Sequence, residues 1–133
     1  MNKSSRFYLK FISFIFILQF HSLLSDAQWY DPEKVNKKAR EIYESAYEEA
    51  VQRKFTECLV HLEEALKLEP KFVEVYLSRA GIYADIKNYP LSVKDFETAF
   101  TMDSVFSDTY LLPFSISLAG TGQFDKALLT VNR

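Results

Sequence analysis

The sequence predicts an all-α protein built from repeated pairs of antiparallel helices. Residues 34 positions apart resemble one another in size along most of the chain, and self-similarity at such a period is typical of repeat architectures. Apolar residues recur at three- and four-residue intervals inside each repeat, as they do on one face of a helix. Only 3 glycines and 4 prolines occur among 133 residues, which leaves room for long helices.

Residues 1–27 have the three parts of a secretory signal peptide. The start is basic, an apolar run covers residues 11–24, and small residues precede a cleavage position after Ala27. A transmembrane anchor needs about 20 predominantly apolar residues, and here polar side chains such as Gln19 and His21 interrupt the run. We therefore expect cleavage after Ala27 and no transmembrane segment in the mature chain.

The repeat becomes visible when the chain is shifted by 34 residues, because large residues then align with large ones and small with small. The aligned pairs are Ile42 with Tyr76, Ala46 with Ala80, Phe55 with Tyr89, Cys58 with Ser92, Leu62 with Phe96 and Ala65 with Ala99. A further shift carries Tyr76 to Tyr110, and a shift of 35 carries Tyr89 to Phe124. After a lead-in over 28–37, we expect a repeat domain over 38–133 with units at 38–71, 72–105 and 106–133, the last one cut short.

The first half of the third unit is the least regular part. It contains one extra residue, and Pro113 falls inside the expected first helix. A proline in a helix interior removes a backbone hydrogen bond and clashes with the preceding turn. We therefore expect a kink or a π-bulge near Pro113.

The repeated residues resemble the tetratricopeptide repeat, a 34-residue helix–turn–helix unit. The second unit matches this pattern best, through Tyr76, Ala80, Tyr83, Tyr89, Ser92, Phe96 and Ala99. The first unit departs from it at Glu49, where the family has Tyr, and at Arg53, where the family has Gly. The resemblance implies a right-handed superhelix of helix pairs, a solenoid that binds other proteins.

In that family the first helix of each unit lines a concave groove. The resemblance therefore implies a binding groove that contains Arg40, Tyr43, Tyr47, Val51, Glu74, Leu77 and Asp85, with Ala50, Gly81 and Ala84 on the same faces. The basic Lys/Asn/Arg set that holds a C-terminal carboxylate in chaperone-binding members is absent. Two interpretations of Tyr43 and Tyr47 stay open. They anchor a partner, as tyrosines often do, or they pack against the N-terminal part of helix one or a continuation of the chain.

The composition excludes most catalytic and metal chemistry. One cysteine allows no intramolecular disulfide, and two histidines provide neither a nucleophile–base arrangement nor a histidine metal centre. We expect His61 on the surface and Cys58 as a small buried residue. Gly120 and Gly122 indicate a turn, since the Lys and Ser/Thr of a phosphate-binding loop do not follow. We expect no enzyme activity, metal or cofactor, and 16 basic against 18 acidic residues do not predict nucleic-acid binding.

A second resemblance concerns the start of the mature chain. A signal ending at Ala27, then Trp29 and Tyr30 before degenerate repeats, is similar to the N-terminal part of OmpA-like cell-envelope proteins of Gram-negative bacteria. In those proteins a β-propeller and a peptidoglycan-binding domain follow the repeats. This resemblance implies an exported, non-enzymatic scaffold in the periplasm or at the outer membrane. Its partner would be an envelope protein or peptide, and peptidoglycan would bind a domain after Arg133.

Two other functions remain open at this point. One is a self-association module, in which Tyr43, Tyr47 and the open face of the third unit form a homodimer. The other is an accessory module of an outer-membrane transport or secretion machine.

Overall fold

The fold is a stack of three antiparallel helix pairs. The computed structural model describes residues 30–133, and the predicted signal peptide lies outside the described residues. Within them the α-helices are α1 Lys37–Val51, α2 Phe55–Leu68, α3 Val73–Asp85, α4 Tyr89–Met102, α5 Leu111–Gly120 and α6 Phe124–Val131. Each helix packs against the next along the chain. The predicted all-α repeat of helix pairs is confirmed.

Small side chains let the helices approach one another. Ala46 on α1 and Ala80 on α3, aligned as equivalent in the sequence, are both 0% exposed. Ala65 on α2 and Ala99 on α4 are also completely buried. A larger side chain at these positions would force the helix axes apart, at a cost of about 1–3 kcal/mol. The repeat of small residues therefore sets the spacing of the stack.

Buried hydroxyl groups connect the second unit to the third. Ser92 Oγ donates to the carbonyl oxygen of Ala80 at 2.8 Å, and it lies 2.8 Å from Ser117 Oγ on α5. Ser92 and Ser117 are both fully buried. Because Ser117 can donate to Ser92, both hydroxyls find partners without water. The small residue that the repeat requires at position 92 thus also makes a polar contact between units.

Pro113 lies in the first turn of its helix and not in the interior, and the expected π-bulge does not form. Helix α5 begins at Leu111, which makes Pro113 its third residue. The first N–H groups of a helix have no partner within it, so a proline there removes no bond. Around the expected start of the third unit, residues 104–107 form turns, and a 3₁₀ turn follows at Asp108–Tyr110.

The turn inside each helix pair contains one residue in the left-handed region. The φ angle is 58° at Arg53, 61° at Lys87 and 80° at Gly122. Arg53 and Lys87 are 34 residues apart, and Gly122 follows 35 residues after Lys87. Glycine adopts this conformation without strain, whereas a side chain costs about 1–2 kcal/mol. The first two units therefore carry backbone strain that the third avoids.

Replacing Lys87 by Gly is expected to raise the free energy of unfolding by about 0.5–1 kcal/mol, because it removes this strain. Lys87 is exposed, and it forms no ion pair among residues 30–133. Thermal unfolding followed by circular dichroism measures the change. The matched control is Gly122→Ala, which should lower the midpoint. A lower midpoint for Lys87→Gly would contradict the prediction.

Candidate functional site

Helices α1 and α3 lie side by side and meet at Tyr43. The Tyr43 hydroxyl lies 2.9 Å from Ser78 Oγ, and its ring stands edge-on to Phe72, with the ring centroids 5.2 Å apart. Burial raises the pKa of Tyr43 above its ordinary value. Tyr43 thus packs against the second unit as well as against the core of its own unit. Its contacts hold the two first helices together, as a groove between them requires.

One helical turn further along, the same two helices leave apolar surface uncovered. Tyr47 is 61% exposed and Val51 is 69% exposed. Gly81 lies three residues after Ser78, and a methyl group added there would meet no heavy atom within 4 Å. Apolar side chains next to open space form a surface on which a ligand side chain can be buried. This part of the predicted groove is accessible.

At the other end of the groove two polar groups have no partner. Arg40 Nη2 and Glu74 Oε2 are buried, with no hydrogen bond to any of residues 30–133. The two residues are 34 positions apart and therefore occupy equivalent places on α1 and α3. Burial raises the pKa of the Glu74 carboxyl. A buried polar group without a partner costs about 1–3 kcal/mol, so a ligand that pairs with these atoms would gain from doing so.

The remaining predicted groove residues lie in different surroundings. Leu77 is 1% exposed and belongs to the core that includes Val73 and Phe96, so it supports the groove from inside instead of lining its surface. Asp85, the last residue of α3, is exposed. The structure therefore places Arg40 and Tyr47 on α1 and Glu74 on α3. That they bind a partner stays a prediction.

His61 joins the two helices of the first unit. Its Nδ1 lies 2.7 Å from Glu49 Oε2, and its side chain is 37% exposed. The predicted surface position is confirmed. Glu49 stands where the tetratricopeptide pattern has Tyr, and its contact with His61 gives this departure a structural role. Sequence reasoning missed the pair because the two residues are read separately as surface charges.

Cys58 is buried, as predicted, and its thiol is unreactive in character. The residue is 1% exposed. Burial, with a smaller contribution from the charge of Glu49, raises the pKa of the thiol to about 11. Since the thiolate is the reactive form, both burial and the raised pKa oppose modification.

We expect Cys58 to resist iodoacetamide in the folded chain at mildly alkaline pH and to react completely in guanidinium chloride, with mass spectrometry as the measurement. Because the folded state holds the thiol proton more tightly than the unfolded one, stability should fall as the pH rises from about 9 towards about 11. A Cys58→Ser chain provides the unlabelled control and should lose the pH effect. Rapid labelling of the folded chain would show that the site opens.

Two curated proteins are similar to this chain, while no family model matches it. The Hsp70-Hsp90 organizing protein of Triticum aestivum is 33% identical over 87 residues, which is 65% of this chain and 14% of that protein. Hsp70-Hsp90 organizing protein 1 of Glycine max is 32% identical over 107 residues, 80% of this chain and 18% of that protein. The chain thus spans less than a fifth of each relative's length.

The similarity and the stacked helix pairs agree on the class of fold. The relatives belong to a family of proteins that contain tetratricopeptide repeats. The structure is that of a tetratricopeptide-like helical repeat. Relatives of this kind support a function in protein–protein interaction. The OmpA-like resemblance gains no support from them. Within residues 30–133 no helix combines the length and the apolar character needed to cross a membrane.

Proposed function

We propose that this chain is a non-enzymatic interaction module that holds an extended peptide of a partner protein along α1 and α3. One observation carries the proposal: Tyr47 and Val51 are exposed on α1, and Gly81, at the position of α3 equivalent to Tyr47, has open space around it. An interface anchor is typically an aromatic residue next to a pocket that excludes water. The apolar part of the groove would take a partner side chain.

The polar end of the groove would fix the direction of the peptide. Arg40 has one donor atom and Glu74 has one acceptor atom that are buried and lack partners among residues 30–133. The two side chains would turn outward to meet the peptide. An extended main chain has a carbonyl group that could accept from Arg40 and an N–H group that could donate to Glu74. Such a peptide would be held through its backbone, while its side chains contact Tyr47 and Val51.

The relatives are named as organizing proteins for Hsp70 and Hsp90. We propose that this chain also binds other proteins, but we do not propose Hsp70 or Hsp90 as its partners. The basic Lys/Asn/Arg set that would hold a C-terminal carboxylate is absent, and the equivalent surface is aromatic and apolar. The expected ligand is therefore an internal peptide segment instead of a chain end.

The test blocks the groove without disturbing the core. Peptides selected on the wild-type chain from a phage-displayed random library are measured against Gly81→Leu and against Tyr47→Ala. Both changes should weaken binding at least about tenfold, which corresponds to about 1.4 kcal/mol, because one fills the open space and the other removes the anchor.

Two control variants separate loss of binding from loss of fold. Gly81→Ala should bind normally and raise stability by about 0.5–1 kcal/mol, because alanine is the better helix former and meets no neighbour. Val60→Ala removes an apolar residue of α2 that is as exposed as Tyr47, at 61%, and should leave binding unchanged. Peptides that bind Gly81→Leu and Tyr47→Ala as well as wild type would exclude this groove.

Self-association is a second candidate, favoured by the apolar surface of the third unit. Phe124, Leu128 and Leu129 on α6 are 68%, 62% and 71% exposed, and Ile116 on α5 is 55% exposed. A second copy that covers these residues would bury them. Light scattering across a range of protein concentrations tests this, with Leu128→Glu as the variant expected to remain monomeric. A wild-type mass that stays monomeric at every concentration would eliminate the dimer.

Export and a place in the bacterial cell envelope are also proposals. They rest on the basic and apolar N-terminus and on Gln28, Trp29 and Tyr30 at the start of the mature chain. Fractionation of cells that express the chain, with N-terminal sequencing of the product, tests them. A product that begins at Gln28 in the periplasm would support export, while uncleaved chain in the cytoplasm would contradict it.

A further inference from the structure

The residues before α1 form a strap along the edge of the stack. We define the strap as Tyr30–Asn36. The Tyr30 N–H donates to Asp103 Oδ2 at 2.9 Å, and the Asn36 N–H donates to Glu69 Oε2 at 3.3 Å. Glu69 and Asp103 are 34 residues apart, each immediately after the second helix of its unit. The strap therefore passes the same corner of two consecutive units.

Tyr30 anchors the far end of the strap. Its ring stands edge-on to Phe106, with centroids 4.9 Å apart and planes at 77°. The ring also packs against both hydrophobic cores of the stack. By contrast, Glu33, Lys34 and Asn36 are exposed. The strap is thus held mainly at its two ends.

The middle of the strap is stiffened by its own contacts. Asp31 accepts from the Glu33 N–H at 3.0 Å and lies 3.1 Å from Lys34 Nζ. Pro32 fixes its own φ angle within the 3₁₀ turn Pro32–Lys34. A peptide that is already rigid loses less entropy when it docks. These internal contacts should lower the entropy that the strap loses when it docks.

The contact between Tyr30 and Asp103 differs from the other contacts in the fold. Units of a helical repeat contact mainly their neighbours in the chain, whereas these residues are 73 positions apart. One carboxylate oxygen of Asp103 accepts from the N–H groups of Val105 and Phe106, and the other accepts from Tyr30. One oxygen of the Asp103 carboxylate is therefore bonded within its own loop, and the other can accept from the N–H group of an extended peptide.

We infer that Asp103, Phe106 and the adjoining core form a second peptide-binding site, which the strap fills in this structure as a built-in competitor. The ligand it fits is an extended peptide that carries a tyrosine, with the backbone N–H of that residue directed at Asp103. The site uses none of the groove residues, so it stands independently of the groove proposal. A partner peptide gains access only when the strap leaves.

The strap has a large concentration advantage over any free peptide. A tethered segment experiences an effective concentration on the order of millimolar. Wild-type chain should therefore bind an added peptide poorly. Removal of the anchor should open the site without altering Asp103 or Phe106.

The experiment uses a fluorescent peptide with the sequence of residues 28–36 and the whole chain in four forms. Fluorescence anisotropy should show binding at least about tenfold tighter to Tyr30→Ala than to wild type. Tyr30→Phe keeps the ring and should behave as wild type. Adding Asp103→Asn to Tyr30→Ala should weaken binding again, because the amide retains one acceptor for the loop but loses the second.

Two outcomes would overturn the inference. One is a folded Tyr30→Ala chain, as judged by circular dichroism, that binds no peptide or binds it no better than wild type. The other comes from wild-type chain and needs no variant. Saturating unlabelled peptide should speed hydrogen exchange at the Tyr30 amide as the strap is displaced, and a peptide with Ala in place of its Tyr should not. Unchanged exchange at saturation would exclude a competitor role.

Discussion

Asp95→Ala is expected to lower the free energy of unfolding by about 3–5 kcal/mol. The Asp95 side chain is 4% exposed and accepts hydrogen bonds from Arg79 Nε at 2.7 Å and from Arg79 Nη2 at 2.9 Å. This two-point contact joins α3 to α4 in the middle unit. Its loss leaves a guanidinium group, 19% exposed as a side chain, without its counter-charge.

The loss of stability in Asp95→Ala arises from the unpaired charge of Arg79 as much as from the missing carboxylate. The hydrogen bonds to Asp95 raise the pKa of Arg79 above its ordinary value. Without Asp95 this support is lost, but the guanidinium stays charged because its ordinary pKa already lies far above neutral. Arg79 also lies over the ring of Tyr76, 5.6 Å from the centroid, a contact that limits its escape to solvent. A buried charge that can neither neutralise nor move freely is expensive.

Urea unfolding followed by circular dichroism measures this effect. The double variant Arg79→Met, Asp95→Leu removes both charges and should cost far less than Asp95→Ala alone. The surface control is Lys67→Ala, which breaks the exposed pair with Glu63 and should change stability by under about 1 kcal/mol. If Asp95→Ala cost no more than Lys67→Ala, the pair would not hold the unit together.

Much of the fold could be predicted because size alternation and helical spacing are local features. Large residues at 55, 89 and 124 were aligned as equivalent, and helices α2, α4 and α6 begin at those residues. The small residues paired with them are buried where close helix contact requires it. These features depend on neighbours three, four or 34 positions away, which a single sequence displays.

The parts that sequence reasoning missed depend on contacts between distant or charged residues. Asp95 was not identified because charged residues are normally exposed, although its place three residues after Ser92 put it on the buried stripe. The strap was described only as a lead-in. The two acids that hold it, Glu69 and Asp103, are 34 residues apart, but no periodicity links them to Tyr30. The prediction for Pro113 assumed a position in the helix interior, whereas the helix begins at Leu111, only two residues before the proline.

Phe96→Ala should destabilise the chain by about 3–5 kcal/mol, since it removes a large side chain and leaves a cavity. Phe96 is 0% exposed. Its ring centroid lies 5.6 Å from that of Phe114 and 6.4 Å from that of Tyr110. Both neighbours belong to the third unit, so the lost contacts include those between the second and third units.

The location of the damage distinguishes this prediction from a general loss of stability. In a helical repeat, stability is approximately the sum of unit terms and terms for adjacent interfaces. Hydrogen exchange should therefore show that Phe96→Ala exposes the amides of α5 and α6 more than those of α1. Leu62→Ala is the matched control, because Leu62 is the equivalent residue of the first unit and is 1% exposed. It should instead reduce protection in α1 and α2. Equal loss in all six helices from either change would mean that residues 30–133 unfold as one unit, and the additive description would fail.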